Sequence, residues 1–318
     1  MGPVSQGAAH LFTSRKRRRH LLDLSGERAL ITGGGHGLGR AIAKGLAARG
    51  AHVLVVSRRQ AALDETVRQI HDSGGRADAF AVDLTDIAAV RQMAEEIGRQ
   101  HGGVDIVVLA AGGGRFLSIE ETSEEEAANI MSSRYLSAFY VIRSLIGPML
   151  KQDRGRIVII GSSFAWLHSF NVAYKAAAHA LHGLAQALET DLYDTNIQVM
   201  YVEPPPIWPL TTFFVHNPGT AQRLPAFYWR FTWTPEQLVA YILRGLERRS
   251  AYVSHPLMRL LNPLYPVVSR PLLWYSRRRF PALEDGGPLS GCRRRPIART
   301  SADGRDFADD LPASPHQI

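Results

Sequence analysis

The chain reads as an α/β protein, a doubly wound parallel sheet with helices on both faces. Three observations predict this. Short, almost wholly apolar runs recur from Ala29 to Val202, amphipathic stretches at helical spacing separate them, and the first run enters a glycine-rich turn that opens a helix. Strands covered on both faces lose the apolar/polar alternation, and parallel neighbours need a crossover between them, which the intervening helices supply.

The elements follow in order. Residues 29–32 form the first strand, and the helix begins within the glycine turn at 33–39. Residues 51–57 are a buried strand, 62–71 an amphipathic helix, 77–82 a strand, 87–100 a helix, and 104–110 a strand running into Gly112-Gly113-Gly114. Acidic residues at 120–126 introduce a long helical region to 150, Gly155 and Arg156 precede the strand 157–160, and a second long helix covers 174–192. The strand 197–202 ends at Pro204-Pro205-Pro206. Residues 207–233 break the pattern with Trp208, Phe213, Phe214, Phe227, Tyr228, Trp229, Phe231 and Trp233, and an irregular stretch of that length is expected to be a lid. Thr234 and Pro235 then start a helix as N-cap and first residue.

The ends differ in composition. Residues 1–23 form a basic, flexible extension, 24–253 the sheet domain with its lid, 254–280 an apolar segment, and 281–318 a disordered tail rich in glycine, proline, serine and charge. Pro263, Pro266 and Pro271 forbid one uninterrupted helix in the apolar segment. The net charge of +8 is concentrated in Arg15-Lys16-Arg17-Arg18-Arg19, Arg277-Arg278-Arg279 and Arg293-Arg294-Arg295, so it describes tails and not the fold. The N-terminal cluster lacks the interleaved aromatics of a single-strand binding platform, and no specific nucleic acid partner is expected. A lone cysteine, Cys292, builds neither a disulfide framework nor a cysteine metal site within one chain, and no metal site is expected. Leu21 and Leu22 before Asp23 are too few for a signal-peptide core, so the expected location is cytoplasmic.

The run Thr32-Gly33-Gly34-Gly35-His36-Gly37-Leu38-Gly39 carries the chemistry. Gly33 can take the backbone of a tight turn, Gly37 lets the main chain approach a pyrophosphate, and Gly39 lets helix and strand pack closely; the phosphates would sit at the helix N-terminus. With strand, turn and helix in place, Thr32-Gly33-x-x-x-Gly37-x-Gly39 resembles the cofactor signature of the short-chain dehydrogenase/reductase family, a Rossmann-type fold, over roughly residues 24–248. In that family the residue ending the second strand chooses the cofactor. Here it ends Ser57-Arg58-Arg59, without a carboxylate to repel a phosphate, which implies NADP(H), with Arg58 on the 2′-phosphate and Arg59 and His36 as helpers. Asp83 matches the aspartate that holds the adenine amino group, and Leu84 would line that pocket; Asp83 and Asp86 also read as helix caps. The fourth strand closes with Leu109-Ala110-Ala111-Gly112 where the family has Asn-Asn-Ala-Gly, and Pro204 stands where its Pro-Gly turn approaches the nicotinamide.

Family catalysis uses a tyrosine that exchanges a proton with the substrate oxygen, a serine that holds it, a lysine four residues on and an asparagine upstream. The register that continues through Leu181-His182-Gly183-Leu184 makes Tyr174 the tyrosine and Ser162 the serine, with Ser163 as understudy. It puts Ala178 in the lysine position and Arg134 in the asparagine position. The resemblance therefore implies an altered site, in which the Arg134 guanidinium fills the space at Ala178 and supplies the missing positive charge. Pro204-Pro205-Pro206, Arg134-Tyr135-Leu136 and the apolar segment are similar to reductases of 3-ketosphinganine, which implies a bulky apolar substrate. Residues 256–280 would serve that substrate, a homo-dimer or homo-tetramer interface, or a membrane surface. A non-redox cyclase or isomerase, and a catalytically silent nucleotide-binding protein, stay open beside the oxidoreductase.

Overall fold

A computed structural model of the chain describes residues 22–114, 117, 119–165, 172–208, 232–261, 264 and 267. The N-terminal basic cluster, nearly all of the aromatic stretch, most of the apolar segment and the whole tail lie outside the described residues.

In chain order the elements are β1 (Arg28–Thr32), α1 (Gly37–Ala47), β2 (His52–Ser57), α2 (Gln60–Asp72), β3 (Arg76–Ala81), α3 (Ile87–His101), β4 (Ile106–Leu109), α4 (Glu124–Met131), a π-turn (Ser132–Leu136), α5 (Ser137–Gln152), β5 (Gly155–Ile160), a short 3₁₀ turn (Ser163–Ala165), α6 (Val172–Asp191), β6 (Ile197–Glu203), α7 (Pro235–Glu247), β7 (Tyr252–Ser254) and α8 (Pro256–Leu261). The seven strands are parallel, in the order β3-β2-β1-β4-β5-β6-β7. The order reverses between β1 and β4, and the crevice beyond their carboxyl ends is where such sheets bind ligands.

Alternation along the strands divides the core into two layers. Ile31, Val53, Val55 and Val108 pack with Ile42 and Leu46 of α1 and Leu238 and Ile242 of α7. Leu30, Leu54, Val56 and Val107 pack on the other face with Val90, Met93 and Ile97 of α3, Val141 and Leu145 of α5, and Leu181 of α6. Register fixes which residues reach the crevice: Thr32 pairs with Val56 on one side and Leu109 on the other.

The helices start as their sequences dictate. Asp86 caps α3 through bonds from the Ala88 and Ala89 N–H groups, and Thr234 forms a capping box with Gln237 ahead of Pro235. The long helical region expected over 120–150 is broken at Ser132–Leu136, where a π-turn rotates the following residues. Arg134 sits in that turn and is buried. β7 is too short and too near the apolar segment to be read from sequence; it pairs with the end of β6.

Of the stretch expected to be a lid, only the two ends lie among the described residues. Ile207, Trp208 and Trp233 are buried, Ile207 and Trp233 form a parallel bridge, and the Trp233 N–H donates to the Pro206 carbonyl at 3.0 Å. Trp233 also stacks on Tyr241 of α7, with ring centroids 4.3 Å apart. Large aromatic faces are worth more buried than exposed, so both ends of the stretch belong to the core. Among the described residues, no helix is long and apolar enough to cross a membrane.

At the amino ends of the strands, Asp105 fastens three of them. Its Oδ2 accepts from the Arg28 N–H and Nε, both at 2.9 Å, its Oδ1 accepts from Arg154, and its carbonyl accepts from Arg156 N at 2.9 Å. Burial raises the cost of ionising Asp105, but the bonds from Arg28 and Arg154 outweigh it and hold the carboxyl below its usual range. A depressed carboxyl stabilises the fold above the unfolded-state value near 3.8, and that contribution disappears as pH falls through the folded value. Asp105→Asn should cost about 2–3 kcal/mol at neutral pH, because it leaves Arg28 without its buried partner. Denaturation across pH checks this: the gap between wild type and variant should narrow below pH ~4.

Candidate active site

Thr32 closes β1 at the crevice. Its Oγ1 accepts from the N–H groups of Ala110 and Ala111, each at 3.0 Å, and faces the Val108 carbonyl at 3.4 Å. The sequence places Thr32 among the cofactor contacts; the buried hydroxyl is instead committed to the end of β4 and shapes the cradle from behind. Gly33 has φ +70°, and a Cβ there would lie 3.0 Å from the Ala110 carbonyl oxygen. At Gly39 a Cβ would meet the Gly33 oxygen at 2.3 Å, so the close contact of turn and helix requires glycine.

Two residues that sequence reasoning missed hold this loop. The Arg40 guanidinium donates to the Gly35 carbonyl and to Thr66 Oγ1 (2.9 Å), and Thr66 Oγ1 lies 3.0 Å from the Gly34 carbonyl. Arg40 directly follows the glycine signature, and Thr66 is a fully buried polar residue between Leu63 and Ile70 on the buried face of α2. His36 is exposed at the N-cap of α1, and no acidic residue occupies that helix's first turn. An anion there would meet a bare helix N-terminus.

At the end of β2, Arg58 and Arg59 are exposed, and Gly35 packs against Ser57. The Ser57 Oγ is buried and has no hydrogen-bond partner. Asp83 accepts from the Thr85 N–H (2.9 Å) and hydroxyl (2.7 Å), both on Oδ1. These bonds, helped by the Arg58 charge, hold its carboxyl below the usual range. Asp86, not Asp83, caps α3. Leu84 is buried in the layer beneath α3.

The other side of the crevice is built by the loop after β4. Gly112 has φ +99° and its carbonyl accepts from Arg134 Nη1 at 3.0 Å. The guanidinium carbon of Arg134 stands 4.2 Å from the centroid of the Tyr174 ring, over its face, and Arg134 Nε is buried without a hydrogen-bond partner. Ala178, one turn along α6 from Tyr174, is fully buried. Ser162 is buried just past β5, and Ser163 N donates to the Pro204 carbonyl at 3.1 Å, which ties that turn to the proline run. Pro204 is buried. A Cβ on Gly114 would lie 2.5 Å from Tyr174 Cδ2, and one on Gly112 would lie 2.5 Å from Arg134 Cγ. Gly112 and Gly114 therefore make room for the Arg134 and Tyr174 side chains.

Sequence reasoning also missed Glu203, a fully buried carboxylate at the end of β6 that accepts from the Tyr252 hydroxyl. Beside it, burial and the Glu203 charge push the Tyr201 phenol up. Gly161 fits because the Tyr201 hydroxyl occupies the space a side chain would need.

The family model for short chain dehydrogenases matches residues 27–215. This chain belongs to that family. A fatty acyl-CoA reductase of Acinetobacter baylyi is 30% identical over 250 residues, covering 77% of this chain and 81% of the relative. A 3-oxoacyl-[acyl-carrier-protein] reductase of Escherichia coli is 32% identical over 185 residues, 58% of this chain and 74% of its own. Among solved structures, a metagenomic short-chain oxidoreductase in complex with NADP is 29% identical with a TM-score of 0.55, covering 57% of this chain and 83% of that one. A short-chain type dehydrogenase/reductase from Mycobacterium marinum is 26% identical with a TM-score of 0.67, covering 74% and 95%.

Gly112→Ala should cost about 1–3 kcal/mol, from a positive φ and contact with the Ser133 carbonyl and Arg134. Gly98→Ala on exposed α3, where an added Cβ meets nothing, should be neutral or gain about 0.5–1 kcal/mol. Paired thermal melts distinguish the two.

Proposed function

We propose that the chain is an NADP(H)-dependent oxidoreductase acting on a carbonyl or alcohol of a bulky apolar metabolite, with Tyr174, Ser162 and Arg134 as its catalytic set. The observation that carries this reading is the buried Arg134 guanidinium laid over the Tyr174 ring. Bound NADPH would supply the hydride. Tyr174 gives its proton to the substrate oxygen, and Ser162 Oγ holds that oxygen in place. Arg134 provides the positive charge that offsets negative charge developing on the Tyr174 oxygen, the part a lysine at position 178 would play. Lys175 is a poor substitute, because adjacent helical residues point about 100° apart.

The cradle fits the nucleotide. Gly33, Gly35, Gly37, Leu38 and Gly39 leave backbone at the N-terminus of α1 for the pyrophosphate, with His36 at its edge. The buried, unpartnered Ser57 Oγ offers a hydrogen bond to the adenosine ribose, and exposed Arg58 and Arg59 stand where a 2′-phosphate would project. Asp83 keeps Oδ2 for an adenine amino group, beside Leu84. Ala111, Gly112 and Pro204 border the nicotinamide end. The NADP complex of a relative at 29% identity supports the choice of nucleotide.

The fatty acyl-CoA reductase supports a long-chain substrate, the chemistry shared by the narrower likeness to 3-ketosphinganine reductases. Exposed Phe139 on α5 and Val172 at the start of α6 support pairing of those helices between subunits.

Two experiments test the reading. In NADPH-coupled turnover with long-chain aldehydes, Tyr174→Phe should lower kcat about 10²–10⁴-fold and Arg134→Ala about 10²–10³-fold. Adding Ala178→Lys to Arg134→Ala should restore at least about tenfold of that loss. Unchanged turnover in Arg134→Ala would remove Arg134 from the mechanism, while substrate conversion without NADPH oxidation would favour a cyclase or isomerase. Separately, Arg58→Ala should raise the KM for NADPH about tenfold or more and leave that for NADH almost unchanged, since one charge-assisted contact to the extra phosphate is lost.

A further inference from the structure

At the edge of the sheet opposite the candidate active site, three side chains from three elements converge. His52 opens β2, Asp78 lies in β3, and His101 ends α3. His52 and Asp78 face the same layer as Leu54 and Phe80, and His101 continues the stripe by which Ile97 packs on that layer. Their ligand atoms, the two Nε2 and the Asp78 Oδ2, all lie within 4.8 Å of one another, the one such group found among the described residues.

We propose that His52, Asp78 and His101 form a binding site for a divalent ion of the zinc class, which staples the end of α3 to β2 and β3. Both imidazoles approach the same carboxylate oxygen, His52 Nε2 at 2.7 Å and His101 Nε2 at 3.8 Å. The first contact is a complete hydrogen bond and explains itself. The second is too long for one, and His101 Nε2 is left buried without a hydrogen-bond partner. A tetrahedral ion with bonds of about 2.0–2.1 Å separates its ligands by about 3.3 Å, between the two observed distances, so shifts of roughly half an ångström would seat it.

Ligand chemistry selects the ion. Two imidazoles and one carboxylate suit zinc and its late first-row neighbours and disfavour magnesium, which takes oxygen ligands in an octahedron. Arg28, the guanidinium whose charge acts on His101, is already paired with Asp105, and Glu96 adds negative charge. The Asp78 side chain is 49% exposed, which gives the ion a path in and water the fourth position.

The test uses the full chain stripped with a chelator and then titrated with Zn²⁺ by calorimetry. The expected result is one Zn²⁺ per chain, bound at least about tenfold more weakly by His101→Gln and by Asp78→Asn. In the wild type, Co²⁺ should give the intense visible absorption of a tetrahedral site, and excess Mg²⁺ should not displace Zn²⁺. Asp78 is a surface side chain, so its variant folds and keeps the comparison valid if His101→Gln does not. Equal affinity in wild type and Asp78→Asn, or no Zn²⁺ retained by the wild type, would overturn the assignment. NADPH turnover is a separate readout, because the three residues lie far from the crevice in the sheet.

Discussion

The candidate site depends on how closely the turn after β1 approaches the turn after β4. Thr32 makes that approach possible by bonding two consecutive N–H groups, of Ala110 and Ala111, which a parallel strand end would otherwise leave unpaired. Gly33 and Gly39 remove the side chains that would hold the turns apart. Once the two turns are in contact, the loop after β4 has no freedom to swing outward, and Gly112 and Gly114 are carried against Arg134 and Tyr174. One hydroxyl thus couples the nucleotide cradle to the place where chemistry would occur.

The cost of this arrangement is a buried guanidinium. Removing such a charge from water costs several kcal/mol. Its hydrogen bond to the Gly112 carbonyl and its position over the Tyr174 ring return roughly 2–5 kcal/mol together. The π-turn holds it there at further cost to regular helix geometry. A surface arginine needs none of this. The combination makes sense for a group that must keep a charge beside Tyr174 in a space sheltered from water.

The sheet, the cradle and the two long helical regions were legible because they rest on local signals: apolar runs, glycine spacing and caps. Thr234 with Pro235 predicted its helix start to the residue. Arg134 was legible only as a departure from a family pattern, and its burial follows from the π-turn, which has no short-range signature. Arg40, Thr66 and Glu203 were missed for a related reason. Each acts through contacts made across elements, and a polar residue inside a helix or strand looks the same in sequence whether it faces water or a backbone carbonyl. The lid was read from the irregular length of 207–233, which carries no local signal that Ile207, Trp208 and Trp233 at its two ends are buried and tied by backbone bonds.

Ala178 explains why an arginine, and not a lysine, would hold the charge. The position is fully buried. A lysine there would need its ammonium hydrated or hydrogen-bonded on all sides. A guanidinium is more weakly hydrated and planar, so it can lie flat on an aromatic ring and still donate sideways to a carbonyl. With Gly112 and Gly114 clearing the space, the proposed role of Arg134 would bring the charge in from the π-turn and make the loss of asparagine and the loss of lysine a single exchange.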